Sequence, residues 1–152
     1  MPSFRTTRSV PHAPAQMFDL VADVERYPEF LPLCTGLRVR RRVQGEPGVE
    51  TLVAEMSIGF KRIAETFTTK VVLDRPKLDI NVSYIDGPFR YLENRWEFRP
   101  EGDGCAVRFF IDYEFRSLAL GLVMGAMFDH AFRRFTDAFE SRADLVYGRR
   151  DS

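Results

Sequence analysis

Few side chains in these 152 residues have the types and spacing that catalysis requires. Of the two histidines, His12 lies beside prolines and His130 on the polar side of a C-terminal segment. Neither has a carboxylate and a nucleophile at a recognisable spacing. No Gly-rich phosphate loop, metal-ligand cluster or Gly-x-Ser-x-Gly elbow occurs, so no catalytic or metal-binding residue is assigned. Cys34 and Cys105 match no metal or redox spacing, and their apolar neighbours imply buried, reduced thiols. Glu65 shares parity with Ile63, Phe67 and Val71, which makes it either an inward carboxylate in an apolar site or the mark of a bulge or sheet rim. The polar residues that stand out are suited to hydrogen bonding or to charge. Asn94 alternates inward between Leu92 and Trp96 and needs a partner there. Tyr84 and Tyr113 share parity with apolar neighbours, so each hydroxyl is either a ligand contact or a group at the rim of the packing. Arg38, Arg40 and Arg42 alternate onto one face of a strand. Such a stripe favours phosphate-bearing partners, RNA or anionic lipid headgroups, or else protects an edge strand by charge.

The elements that must position these groups are legible in the periodicity. Ser3–Val10 reads as a strand, broken by Pro11–Pro14, and Pro14 suits the first turn of a helix. Met17, Phe18, Leu20, Val21 and Val24 recur at helical spacing until Pro28, and a second compact turn follows between Pro28 and Pro32. From Gly36 to Arg116 the period is two, with strands over Leu37–Val43, Glu50–Ile58, Ile63–Leu73, Leu78–Ile85, Tyr91–Phe98 and Ala106–Phe115. The intervening Gly, Pro and Asp clusters are too short for parallel crossovers, which makes the neighbours antiparallel. Leu92, Asn94, Trp96 and Phe98 form one inward row; Val107, Phe109, Ile111, Tyr113 and Phe115 form another. A sheet with one apolar face needs a cover.

The cover is the C-terminal segment. Ser117 is a plausible N-cap, and no proline interrupts Leu118 to Tyr147, giving one helix of roughly 30 residues and about 45 Å. In its second half Phe128, Ala131, Phe132, Phe135, Ala138 and Phe139 make an apolar stripe. The first half differs: Leu118 through Phe128 carries no charge, and Ala119, Leu122, Val123 and Ala126 occupy the side that later turns polar. A helix apolar all round is buried on both sides or touches something greasy. Gly121 and Gly125 each lower helix stability by roughly 1 kcal/mol relative to Ala, consistent with a bending lid or with close packing at small residues.

Composition agrees with one α+β domain over 1–152. With 45% hydrophobic and 29% charged residues it reads as an ordinary globule, and 14 phenylalanines suit a thick core or an apolar pocket wall. Zero formal net charge gives no global pull toward DNA, RNA or anionic membranes. No apolar leader or membrane-length run is present, so a cytoplasmic location is expected.

Four segments in order carry a family resemblance: Asp23-Val24-Glu25-Arg26-Tyr27-Pro28-Glu29-Phe30-Leu31-Pro32-Leu33-Cys34; Phe67-Thr68-Thr69; Asp86-Gly87-Pro88-Phe89 with Leu92 and Trp96; and Ala138-Phe139-Glu140 through Arg142-Ala143 to Tyr147-Gly148. The sequence resembles the coenzyme Q-binding START-domain proteins of the polyketide cyclase/dehydrase superfamily. The resemblance implies a helix-grip fold, with a curved antiparallel sheet of about seven strands around one long C-terminal helix and two short helices after the first strand. It further implies ubiquinone or a similar isoprenoid lipid as bound ligand rather than catalytic cofactor, in support of respiration, with transient contact at the inner membrane. A branch of the family acts instead as a ribosome association toxin on the large subunit, blocking subunit joining, and a cyclase-type enzyme is a third and poorly supported reading. On the quinone reading the expected pocket comprises Leu92, Asn94, Trp96, Phe109, Ile111, Tyr84, Tyr113, Leu122, Met124, Phe128 and Phe132, with Phe30 and Leu31 near its mouth. Asn94, Tyr84 or Tyr113 would then hydrogen-bond a quinone carbonyl.

Overall fold

The two-residue alternation becomes seven antiparallel strands in a single sheet of order β1-β7-β6-β5-β4-β3-β2 in the computed structural model, which describes residues 3–148. The strands are β1 (Ser3–Val10), β2 (Cys34–Gln44), β3 (Val49–Phe60), β4 (Ile63–Asp74), β5 (Asp79–Asp86), β6 (Phe89–Glu101) and β7 (Gly104–Phe115). Each extends at most a few residues beyond the alternating stretch read from sequence, because hairpin pairing continues into the turns. Leu78 is the exception, standing outside β5 with a left-handed φ of 54°.

Between β1 and β2 lie α1 (Pro14–Ala22) and a short 3-10 segment (Val24–Glu29). Pro14 does open α1, and the Gln16 side chain accepts from the Ala13 N–H at 3.0 Å. The helix ends at Ala22 rather than running to Pro28. Val24 therefore belongs to the 3-10 segment, which tolerates Pro28 near its end.

The C-terminal cover is α2 (Leu118–Arg133) and α3 (Phe135–Tyr147), divided at Arg134, where φ and ψ are −98° and −2°. The expected single helix is thus bent at one residue. Ser117 is its N-cap, with Oγ accepting from the Leu120 N–H at 3.2 Å. This is the helix-grip arrangement.

One close approach shapes the sheet. Gly87, at φ 144°, lets the β5–β6 turn cross β4 so tightly that a Cβ would stand 2.5 Å from that of Phe67. Only glycine fits both the backbone and the space.

The two halves of the C-terminal cover are held differently. On α3, Asp144 Oδ1 lies 2.8 Å from His12 Nε2, and the Tyr147 hydroxyl donates to the Gln16 carbonyl at 3.0 Å. Arg142 reaches Glu29 at 2.5 Å, and Arg8 on β1 pairs with Asp137 and Glu140. Among the described residues α2 makes no such tie to the sheet. Met124, Phe128, Ala131 and Phe132 bury its inner face, with Phe128 set against Phe89 and Phe115 at 5.4 Å between ring centroids. Apolar contact holds α2 down, with one cation–π contact at its end, where the Arg133 guanidinium stands 4.7 Å from the Phe4 ring centroid on β1.

Candidate functional site

Six strands and the helical cover enclose an apolar cavity of about 70 Å³. Its wall takes Leu37 from β2, Ala54 and Met56 from β3, and Phe67, Thr69 and Val71 from β4. Ile80 and Val82 come from β5, Leu92, Asn94 and Trp96 from β6, and Ile111 from β7. Phe132, Phe135 and Phe139 roof it, and Val24 and Tyr27 close the side toward the 3-10 segment. The period-two pattern explains this wall, since every strand contributes residues of its inward parity.

Polar groups on the wall are few and largely engaged. The Trp96 indole N–H donates to Asn94 Oδ1 at 3.0 Å, and Asn94 Nδ2 donates to the Phe110 carbonyl at 2.8 Å. Asn94 therefore keeps one N–H and one lone pair for anything else. The Tyr27 hydroxyl donates to the Val21 carbonyl, and complete burial pushes its phenol far above the ordinary range. Thr69, a residue only 7% exposed, adds a hydroxyl.

Of the residues expected around a ligand, Leu92, Asn94, Trp96, Ile111 and Phe132 stand on this wall. Phe109 is buried off the wall against Phe4, Trp96 and Phe135, and Tyr113, Met124 and Phe128 are buried in the packing of α2 on β6 and β7. There Tyr113 meets Phe132 at 5.1 Å, and burial pushes its phenol up to about 12. Tyr84 is engaged by the Phe89 N–H, which donates to its oxygen at 3.1 Å. Phe30 stacks edge-on against Phe139 at 5.2 Å, and Leu31 is buried beside the 3-10 segment. Leu122 is a correction: it points outward and is 81% exposed, because α2 offers the sheet only one residue per turn. Residues missed at the sequence level include Phe67, Thr69, Val71, Ile80 and Val82. Their inward parity was visible, but parity does not say which level of a sheet faces a void.

The arginine stripe needs a second correction. A β-bulge between Val39 and Arg41 shifts the register, so Arg38 stands opposite Glu55 and Arg42 opposite the buried Leu52. Cross-strand partners share a face, so Arg42 lies on the opposite face from Arg38. The charges are also matched: Arg40 bonds Glu55 at 2.8 Å, and Arg42 bonds Glu25 at 2.7 Å. β2 is an edge strand of the sheet, where paired charge guards against edge-to-edge association.

Elsewhere, Glu65 is half-buried near the open end of β4, opposite Ile58. Both cysteines are buried and unpaired, with burial pushing each thiol up to about 11. Among the described residues no group of His, Cys, Asp and Glu could hold a metal ion, and no helix is long and apolar enough to cross a membrane.

A curved sheet closed over an apolar cavity by a bent C-terminal helix defines the START-like, helix-grip fold class. The chain belongs to the polyketide cyclase/dehydrase and lipid transport family, whose model matches residues 10–140. It is 36% identical to the persistence and stress-resistance toxin PasT of Escherichia coli O6:H1, over 99% of this chain and 92% of that protein. The ribosome association toxin RatA of Rickettsia prowazekii is 34% identical, over 96% of this chain and 99% of that protein. The mitochondrial coenzyme Q-binding protein COQ10 homolog B of Xenopus laevis is 31% identical, over 90% of this chain and 55% of its own length. Among solved structures, an 18 kDa protein of Caulobacter crescentus superposes with a TM-score of 0.78 at 40% identity, covering 97% of this chain and 99% of that one. A START superfamily protein from Mycobacterium smegmatis shares the fold at a TM-score of 0.77 and 20% identity, covering 95% and 98% of the two chains.

Proposed function

We propose that this chain binds an isoprenoid-class lipid, ubiquinone foremost, between its sheet and C-terminal helix, and carries or chaperones it without altering it chemically. The observation that carries the reading is an apolar cavity roofed where α2 meets α3, by Phe132 on the segment that makes no hydrogen bond or ion pair to the sheet and by Phe135 and Phe139 on the anchored one. A void of about 70 Å³ has room for a few waters, not for a quinone with its tail. Loading therefore requires the roof to open, with α2 lifting Phe132 at the Arg134 bend and the Phe135 and Phe139 rings turning aside on α3, which stays tied to β1, α1 and the 3-10 segment.

Each five-carbon unit removed from water is worth on the order of 3–4 kcal/mol at about 0.8 per carbon, so the tail dominates affinity over water and its exchange is favoured at a membrane, where it never has to enter water. Leu118, Leu122 and Val123 are 82%, 81% and 63% exposed on the outer side of α2. An exposed apolar patch on the lid itself suits transient contact with a bilayer from the cytoplasmic side. Asn94 and Thr69 are the wall groups available to orient a polar headgroup.

A second reading, ribosome association that blocks subunit joining, is favoured by 34% identity to the ribosome association toxin RatA across almost the whole chain. One experiment separates the two. Protein purified gently from its own host is analysed by native mass spectrometry with lipid extraction. Stoichiometric ubiquinone is the expected result. Ligand-free protein that co-sediments with large ribosomal subunits would overturn the carrier reading in favour of the second.

A further inference from the structure

The outer face of the sheet, away from the helix, carries a cleft that the lipid reading leaves unused. It spans β1, β7 and β6 and has a volume of about 440 Å³. Three guanidinium groups, Arg5, Arg95 and Arg108, line it against a single carboxylate, Glu97. At its centre Phe110 points outward, with Arg5 opposite it on β1 and Arg95 opposite it on β6. Both guanidinium carbons stand 4.7 Å from the ring centroid.

Arg5 makes no ion pair among the described residues, whereas Arg95 pairs with Glu93 at 3.8 Å and Arg108 with Glu97 at 3.5 Å, a carboxylate that Arg99 also approaches at 3.7 Å. Phe110 holds both guanidinium groups beside its ring, which positions two cations for an anion. Two strand spacings separate Arg5 from Arg95, about 10 Å, and Arg108 lies two residues along β7, about 7 Å from Phe110. A lone phosphate cannot span those positions, whereas a phosphodiester chain can. Guanidinium planes also stack on splayed bases, and the exposed Thr7 opposite Arg108 offers a hydroxyl to a ribose 2′-OH.

We infer that this outer-face cleft binds the phosphate backbone of single-stranded RNA. The site stands apart from the lipid cavity and from the exposed apolar side of α2, which lies over the other face of the sheet. A bilayer engaging α2 could not reach it, and the cleft presents no protruding aliphatic side chain of its own.

The test uses the full chain and a fluorescent 12-nucleotide uridine RNA, followed by anisotropy from 25 to 200 mM salt. The wild type is expected to bind with a log–log salt slope near −2, from about −0.7 for each of three phosphates neutralised. R5Q/R95Q, both exposed and so compatible with folding, is expected to weaken binding at least tenfold and to flatten the slope toward about −0.7. F110L, which removes the ring but no charge, is expected to weaken binding several-fold at unchanged slope. R38Q/R40Q, on β2, is expected to bind like wild type. Failure of the wild type to bind, unchanged binding by R5Q/R95Q, loss in R38Q/R40Q instead, equal affinity for the matched DNA strand, or capture only by anionic phosphatidylserine vesicles would each overturn the assignment. A cavity-filling variant such as Ala54→Leu is expected to retain RNA binding, so failure of the lipid reading and failure of this one are distinguishable.

Discussion

The indole N–H of Trp96 donates to the side-chain oxygen of Asn94 at 3.0 Å, two residues apart on the inward face of β6. Asn94 in turn donates to the Phe110 carbonyl at 2.8 Å, so one amide satisfies the indole and ties it to the neighbouring strand. Asn94→Ala leaves the buried indole N–H without this partner. A loss of about 1–3 kcal/mol in urea unfolding is expected, with a red shift of the native Trp96 emission as water enters the wall. Unchanged stability and emission would mean that the amide is a ligand group only.

Trp96 is the sole tryptophan and stands on the cavity wall, which makes it a reporter. Titration with a short-chain ubiquinone is expected to quench its fluorescence saturably. Ala54→Leu, which fills the cavity from β3, should abolish saturable quenching at an overpacking cost of about 1–3 kcal/mol. Linear, unsaturable quenching that is identical in both proteins would contradict a bound quinone.

The lid can be stiffened without touching the wall. A Cβ on Gly125 meets nothing within 4 Å, and one on Gly121 only reaches ordinary contact with Phe115 at 3.8 Å. Gly121→Ala/Gly125→Ala is expected to stabilise α2 by roughly 1 kcal/mol per site. Hydrogen exchange in residues 118–133 should slow, and lipid transfer between vesicles should slow with it. Faster transfer would remove α2 as the gate.

Burial holds both thiols neutral, pushing Cys34 and Cys105 up to about 11 from an ordinary 9.0. The folded state thus disfavours the thiolate, and the sign follows. The thiol contribution to stability is intact below about pH 9 and is lost as pH rises through about 11. Urea midpoints should fall over that window, less steeply in Cys34→Ala/Cys105→Ala. Native protein at pH 8 should resist iodoacetamide until unfolded.

Much of this architecture was legible from the chain. Inward rows such as Leu92, Asn94, Trp96 and Phe98 follow from a side-chain period of two, and Ser117 marks the start of α2 by local hydrogen-bonding chemistry. The uncharged flank of α2 was visible too, since Ala119, Leu122, Val123 and Ala126 are all exposed. The position of the void was not legible. Phe109 and Ile111 share a strand and a parity, yet Ile111 faces the cavity while Phe109 meets Trp96 at 4.7 Å. Sheet curvature and the placement of the roof decide that difference.

By itself the sequence determined the order of elements, the buried face of each strand and the apolar character of both sides of α2, because these depend on local periodicity. Only the tertiary structure decided three further features. One bulge at Val39–Arg41 broke the arginine row, and one bent residue, Arg134, divided an anchored helix from a loosely held one. Register between β1, β7 and β6 set Phe110 between Arg5 and Arg95. Each of these is a relation between residues distant in the chain, and periodicity within a strand or helix carries no information about such pairings.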